Sequence, residues 1–156
     1  MPVTVSVTAR RLTAAALTCA AITAAIAVPA SAAEHRAPRS AVEISRVQYD
    51  SPGRDDRSNR SLNAEWVEVT NTTRRAVNLN GWMLSDRDGH TYTFHHYRLD
   101  GRSTVRVHTG IGRDARHDVY QDRRAYVWNN DSDTATLRNH HSRYVDSLSW
   151  GARRHH

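Results

Sequence analysis

Cysteine is almost absent from this sequence, and its scarcity excludes several kinds of site. The only cysteine is Cys19, which lies in an apolar run near the N-terminus. The residues before it do not form a lipoprotein cleavage pattern, so we expect it to be removed with that run. The rest of the chain then has no thiol, which excludes a disulfide framework, a cysteine-based zinc site and a cysteine nucleophile.

Lysine is absent altogether, so all 22 basic residues are arginine. Guanidinium groups make bidentate contacts to phosphate and carboxylate that ammonium groups do not make. The codon bias of a GC-rich genome explains the same composition more simply, and it also explains the many alanines. Arginine content alone therefore does not identify a polyanion-binding surface.

Familiar catalytic motifs are missing as well. The sequence has neither a Gly-x-Ser-x-Gly elbow nor a His-Glu-x-x-His helix. Glu65 and Glu68 are three positions apart, which places them on opposite faces of a strand and does not suit an acid/base pair. We therefore predict a protein that is not an enzyme and needs no cofactor.

Residues 1–32 have the pattern of a secretory signal peptide. Arg10 and Arg11 precede the apolar run 12–28, and the Pro-Ala-Ser-Ala sequence at 29–32 supplies the small residues of a cleavage site. The run is short for a membrane span of ~20 residues. We predict a secreted, extracellular protein, with cell-wall association as one variant and no stable membrane insertion after cleavage. Export by the Sec or the twin-arginine route is left open.

After removal of the signal, about 124 residues are left, enough for one domain with its own core. We predict a flexible leader at 33–40, a domain at 41–151 and a basic tail at 152–156. Without Arg10 and Arg11, 20 arginines remain against 16 acidic residues, so the net charge falls from +6 to +4. This excess is modest at neutral pH and rises in mild acid, because histidine titrates near pH ~6.5.

Apolar and polar residues alternate over most of the domain, and no stretch repeats apolar residues at helical spacing. Such alternation is typical of half-buried strands. The Asp-Gly pair that ends 86–89 favours a hairpin, whereas 51–63 is interpreted as a long charged loop. We predict an all-β fold, an antiparallel sandwich of roughly seven to nine strands. The predicted strands include 42–47, 65–70, 82–84, 91–94, 104–108, 134–137 and 144–150.

Parity predicts which side chains face the core, because residues two apart in a strand share a face. In 65–70, Val67 and Val69 are predicted inside, with Trp66 and Glu68 outside. The other predicted inward pairs are Trp82 with Leu84, Tyr92 with Phe94, Val105 with Val107, and Ala135 with Leu137.

The segments of the domain follow one another in a recognisable order and spacing. They are AEWVEVTN (64–71), VNLNGWMLSD (77–86), GHTYTF (89–94), VRVHTG (105–110), VWNND (127–131), DTATLR (133–138) and VD (145–146). This series resembles the lamin tail domain family in its secreted bacterial form. The resemblance implies an immunoglobulin-like sandwich that acts as a binding or scaffolding module, since the family has no common catalytic residues.

Residues 129–133 gather Asn and Asp side chains directly after a tryptophan. Asp131 and Asp133, with amide oxygens of Asn129 or Asn130, offer the hard oxygen ligands that suit Ca²⁺. No glycine and no distal acid follow at the spacing of a calcium loop. We therefore favour a turn closed by side-chain bonds to the backbone, and we predict no metal site, with the two aspartates as weak candidates.

Pairs of adjacent histidines at 95–96, 140–141 and 155–156 raise the question of a zinc site. Adjacent residues in a strand point to opposite faces, so one pair cannot chelate an ion from extended backbone. We interpret these histidines as surface residues.

Basic residues between 113 and 124 are the best remaining candidates for a binding surface. With aromatic residues nearby, they suit the phosphates of extracellular DNA or wall teichoic acid. Asp114, Asp118 and Asp122 interleave with them, which is typical of an ordinary soluble surface. The candidate polyanion-binding residues are Arg113, Arg116, His117, Arg123 and Arg124.

The sequence as a whole predicts a secreted, non-enzymatic binding or scaffolding module. Its predicted partner is a polymer or protein of the cell envelope or extracellular space, with DNA among the candidates. One alternative is a binder of extracellular polyanions through the Arg- and His-rich loops. A second alternative is an accessory subunit of a secreted hydrolase.

Overall fold

The computed structural model describes residues 40–151, which form ten β-strands and one short helix. The predicted signal peptide, nearly all of the predicted leader and the basic tail lie outside the described residues. No helix within 40–151 is long and apolar enough to cross a membrane. The elements are β1 (Val42–Gln48), α1 (Asn59–Ala64), β2 (Trp66–Asn71), β3 (Val77–Asn78), β4 (Met83–Ser85), β5 (Thr91–Thr93), β6 (Arg98–Leu99), β7 (Thr104–His108), β8 (Asp118–Tyr120), β9 (Ser132–Arg138) and β10 (Tyr144–Gly151).

Eight of these strands form two four-stranded sheets, which confirms the predicted all-β, immunoglobulin-like sandwich. The first sheet has the order β1-β2-β7-β8 and the second the order β10-β9-β4-β5, while β3 and β6 pair separately. Neighbouring strands are antiparallel except for β7 and β8, which run parallel. The prediction of a wholly antiparallel sandwich is wrong at this pair, because the segment between β7 and β8 returns along the sheet before β8 begins.

One apolar core draws side chains from both sheets. The predicted inward pairs of β2, β7 and β9 are fully buried at both members, as parity predicts. These pairs are Val67 with Val69, Val105 with Val107, and Ala135 with Leu137. Each valine and leucine of this set contributes about 1.5–3 kcal/mol by leaving water.

The predicted burial of Trp82 and Tyr92 is wrong in degree. Both pack against the core but are only partly buried, whereas their partners Leu84 and Phe94 are fully buried. β5 is an edge strand, so Tyr92 lies at the margin of its sheet, and Trp82 lies in the turn before β4. Besides Phe94, the aromatic side chain buried in the core is Trp128, which is 2 % exposed.

Residues 51–63, predicted as a loop, contain most of the helix α1. The Ser58 side chain caps this helix by accepting a hydrogen bond from the Ser61 N–H at 3.2 Å. Leu62 is its buried apolar residue. A helix of six residues with one leucine is too short to show a 3.6-residue period, which is why the pattern did not predict it.

The turn at 86–89 joins β4 to β5 as predicted, with Gly89 at a φ of 94° that favours glycine. The second Asp-Gly pair, at 100–101, behaves differently. There the residue with positive φ is Arg102, at 58°. Gly101 passes so close to the Arg74 backbone that a side chain would not fit.

Side chains occupy backbone groups on two of the strand edges. On β1 the Ile44 N–H donates to the Asp146 carboxylate at 2.7 Å, which also ties β1 to the second sheet. On β5 the Thr91 carbonyl accepts from the Arg123 guanidinium at 3.3 Å. Each contact removes one backbone group that a further strand would use for pairing.

Candidate functional site

A pocket of about 310 Å³ lies where the two sheets meet beyond the end of β8. It is lined by His90 and by residues 123–127. His90 belongs to the turn between β4 and β5, and 123–127 belong to the irregular segment between β8 and β9. The lining combines histidine, two arginines and a tyrosine, and no acidic residue belongs to it. We call this feature the basic pocket.

A buried carboxylate fixes His90 in the basic pocket. Oδ2 of Asp86, whose side chain is completely buried, lies 2.6 Å from Nδ1 of His90, whose side chain is 45 % exposed. Oδ1 of the same carboxylate accepts the His90 N–H at 2.7 Å. A carboxylate oxygen beside Nδ1 favours a proton on that nitrogen, so Nε2 is free to contact a ligand.

The two arginines of the basic pocket follow β8 directly. Arg123 donates one guanidinium N–H to the Thr91 carbonyl at 3.3 Å, and a guanidinium has further N–H donors for a ligand. Arg124 is exposed. The preceding Asp122 does not neutralise them at short range, since its carboxylate turns toward the Gly112 N–H at 3.4 Å.

Behind the basic pocket lies a buried carboxyl group that sequence analysis did not select. Glu65 is 0 % exposed, and its Oε1 accepts from Oγ1 of Thr109 at 2.6 Å and from the N–H groups of Val127 and Trp128 at 2.9 and 3.4 Å. Burial raises the pKa of Glu65 from 4.5 to about 7, and the hydrogen bonds oppose this rise only in part. Since Val127 lines the pocket, Glu65 holds the backbone of its inner wall.

The five predicted basic residues do not form one surface. Only the last two line the basic pocket. Arg113 follows Gly112, whose N–H donates to Asp122, so Arg113 lies near the same end of β8, whereas Arg116 and His117 lie at the opposite end. There Arg116 pairs with Asp100, and Nδ1 of His117 lies 3.2 Å from a carbonyl of β7. Arg113 is exposed in the same loop. The strand β8 therefore separates Arg116 and His117 from the two arginines of the basic pocket.

Asp133 supports the turn interpretation of residues 129–133. It is 1 % exposed; its Oδ1 accepts from the N–H groups of Arg87 and Thr134 at 3.1 and 2.7 Å, and its Oδ2 accepts from the Asn129 N–H at 3.1 Å. Asp131 is exposed instead. Within residues 40–151, no three His, Cys, Asp or Glu side chains are arranged to hold a metal ion. The carboxylate of Asp133 thus ties the β4–β5 turn to the start of β9.

The histidine pairs at 95–96 and 140–141 lie outside the strands, so the argument from opposite strand faces does not apply to them. The rings of His140 and His141, in the turn between β9 and β10, have centroids 3.8 Å apart. His95 and His96 lie between β5 and β6, where His96 has a positive φ of 49°. The third pair, 155–156, is outside the described residues.

Comparison with known families shows which family this chain belongs to. The family model of the Lamin Tail Domain matches residues 35–152. The chain belongs to the lamin tail domain family. This confirms the resemblance at the level of the family. None of the curated proteins compared with the chain matches it.

Lamin tail domains have an immunoglobulin-like fold that is generally non-catalytic, and the basic pocket of this lamin tail domain is consistent with that character. Its lining offers hydrogen-bond donors from the two arginines, and His90 adds a donor through Nε2 when its ring is protonated. It contains no carboxylate pair and no serine, threonine or cysteine nucleophile. The two arginines of the lining are the kind of group that binds an anion.

Proposed function

We propose that this lamin tail domain is a secreted, non-enzymatic binding module that holds a phosphodiester polymer at the basic pocket. The observation that carries the proposal is the convergence of Arg123, Arg124 and His90 on one pocket whose lining has no acid. Extracellular DNA and wall teichoic acid share the phosphodiester chemistry that these side chains recognise. The cell surface or its surroundings is the location where such a polymer is met.

The physical support is the preorganisation of the donors. The Asp86 carboxylate holds the His90 ring, and the Thr91 carbonyl of β5 holds one N–H group of the Arg123 guanidinium. The Glu65 carboxyl group holds the backbone N–H of Val127 in the pocket wall. Donors that are already held in place lose little side-chain entropy on binding, so more of the contact energy appears as affinity. Arginine also matches phosphate in a bidentate geometry.

Binding should depend on the pocket arginines and not on arginine number in general. We expect the variant Arg123→Gln/Arg124→Gln to elute from immobilised DNA at lower salt than wild type, with the slope of log affinity against log salt reduced by about 2. The matched control is Arg98→Gln/Arg116→Gln, which removes the same charge from two exposed arginines outside the basic pocket and should retain the wild-type slope.

The same variants on cell wall distinguish the two polymers. If the protein is retained on native cell wall but not on wall stripped of teichoic acid, the ligand is teichoic acid. If the protein is retained on DNA alone, the ligand is nucleic acid. Equal elution of both double variants with wild type on every support would contradict binding at the basic pocket. Equal weakening of both variants would show general charge attraction and would also contradict it.

A further inference from the structure

The outer face of the first sheet carries a second ordered set of side chains, separate from the basic pocket. The register of β2, β7 and β8 places Trp66 opposite His108 and His108 opposite Tyr120. These three ring side chains therefore form one row across the sheet. Trp66 is partly exposed on this face, since the inward positions of its strand are Val67 and Val69.

The ring row is held in position by its neighbours. His108 and Tyr120 stack with centroids 5.0 Å apart at an interplanar angle of 19°. Nδ1 of His108 lies 2.7 Å from the Asn63 carbonyl, and its Nε2 lies 2.8 Å from Oδ1 of Asp118. Both ring nitrogens are engaged, so His108 cannot rotate freely, and the row is a fixed feature of the face.

A polar row runs beside the rings. Register aligns Arg46, Glu68, Arg106 and Asp118 across the four strands. The Nε of Arg106 donates to Oε1 of Glu68 at 2.9 Å, and the Arg106 guanidinium lies 4.5 Å from the centroid of the Trp66 ring. Indole, guanidinium and carboxylate thus form one connected unit.

A shallow pocket of about 230 Å³ opens over this polar row. It is lined by Glu68, Thr104, Arg106, His117 and Asp118. Behind it, hydroxyl groups of β1, β2 and β7 bond to one another at 2.7 and 2.8 Å. The pocket therefore presents donors and acceptors together, and Arg106 of its lining also lies over the Trp66 indole.

The charges of this face disfavour a polyanion. The outward positions hold two guanidinium groups against three carboxylates, those of Arg46 and Arg106 against Glu43, Glu68 and Asp118. Above the pH at which histidine titrates, the face has no positive excess. A nucleic acid would meet an unfavourable field there, whereas an uncharged polyol would not.

We propose that this face binds an uncharged saccharide chain. The apolar C–H side of a sugar ring packs against the part of the Trp66 indole that the Arg106 guanidinium leaves exposed. Vicinal hydroxyl groups donate to Glu68 and accept from Arg106, whose acceptor and donor atoms are already held together. The proposal is independent of the basic pocket, and it assigns to the domain a second ligand of a different chemical class.

Tryptophan fluorescence and calorimetric titration at pH 8 test the proposal with three uncharged probes: cellohexaose, chitohexaose and mannohexaose. We expect at least one to bind, Trp66→Ala to weaken that binding about ten-fold or more, and Trp66→Tyr to recover part of it because a ring is restored. The matched control is Trp150→Phe, which alters a partly buried tryptophan of the second sheet and should bind as wild type. Circular dichroism checks that each variant is folded.

The outcomes separate this site from the basic pocket. Failure of all three hexasaccharides to bind, or equal binding by Trp66→Ala and wild type, would overturn the proposal. If no saccharide binds, and an oligonucleotide binds wild type but not Trp66→Ala, the proposal is overturned too. That result would assign the face to nucleic acid. Arg123→Gln/Arg124→Gln should leave saccharide binding unchanged, so failure of one site is distinguishable from failure of the other.

Discussion

Replacing Phe94 with alanine lowers the free energy of unfolding by about 3–5 kcal/mol, the range for deleting a buried aromatic side chain. Phe94 is 0 % exposed and is the only phenylalanine in the chain. Its ring meets Tyr92 edge-on with centroids 5.0 Å apart, and Tyr97 at 5.7 Å. Removing the Phe94 ring leaves a cavity in the core next to the rings of Tyr92 and Tyr97.

Urea unfolding followed by circular dichroism measures this loss, and two further variants give it a scale. Phe94→Leu fills most of the space and should cost less than half as much as the alanine variant. Tyr144→Ala removes a ring that is 59 % exposed and should change stability by less than about 0.5 kcal/mol. A Phe94→Ala protein as stable as Tyr144→Ala would mean that Phe94 does not lie in the core.

Stability should fall as the pH rises through neutrality, because of Glu65. Its pKa is raised by burial from 4.5 to about 7 in the folded protein, so the folded state binds this proton more tightly than the unfolded state. The stabilisation is fully present below pH 4.5 and is lost as the pH passes 7. The loss amounts to about 3 kcal/mol at ~1.4 kcal/mol per pH unit.

Glu65→Gln isolates this effect from the titration of histidines. The amide retains an acceptor oxygen for Thr109, Val127 and Trp128 but cannot ionise, so the variant should gain about 3 kcal/mol relative to wild type between pH 4.5 and pH 8. Unfolding in urea at several pH values measures the difference. Val67→Ala, a core change without a titratable group, should differ from wild type by a constant amount. A constant difference for Glu65→Gln as well would refute the assignment.

Sequence alone predicted much of the core because strand parity decides which face a residue occupies. Val67 and Val69, or Ala135 and Leu137, are buried as the alternation predicts. Trp128 was not predicted because it lies in an irregular segment, where no period relates a residue to a face. The parallel pairing of β8 was not predicted either, since a three-residue strand contains too little sequence to show its direction.

The candidate site was harder to predict, because residues that are close in sequence can lie apart in the fold and residues that are distant in sequence can lie together. Arg116 and Arg123 are close in sequence, but β8 separates them, while His90 comes to Arg123 from a distant turn. Glu65 did carry a signal, because it shares its parity with Val67 and Val69. A carboxyl group is rarely buried without a charged partner, so parity alone does not predict the burial of a glutamate.

The most direct test of the account is a titration of ¹⁵N-labelled protein with a short oligodeoxynucleotide, followed by amide chemical shifts. The account predicts that the largest shifts occur at His90 and within 123–127, and that they vanish in Arg123→Gln/Arg124→Gln. Shifts centred on 113–117, or no shifts at all together with none from teichoic acid, would contradict the basic pocket as the binding site.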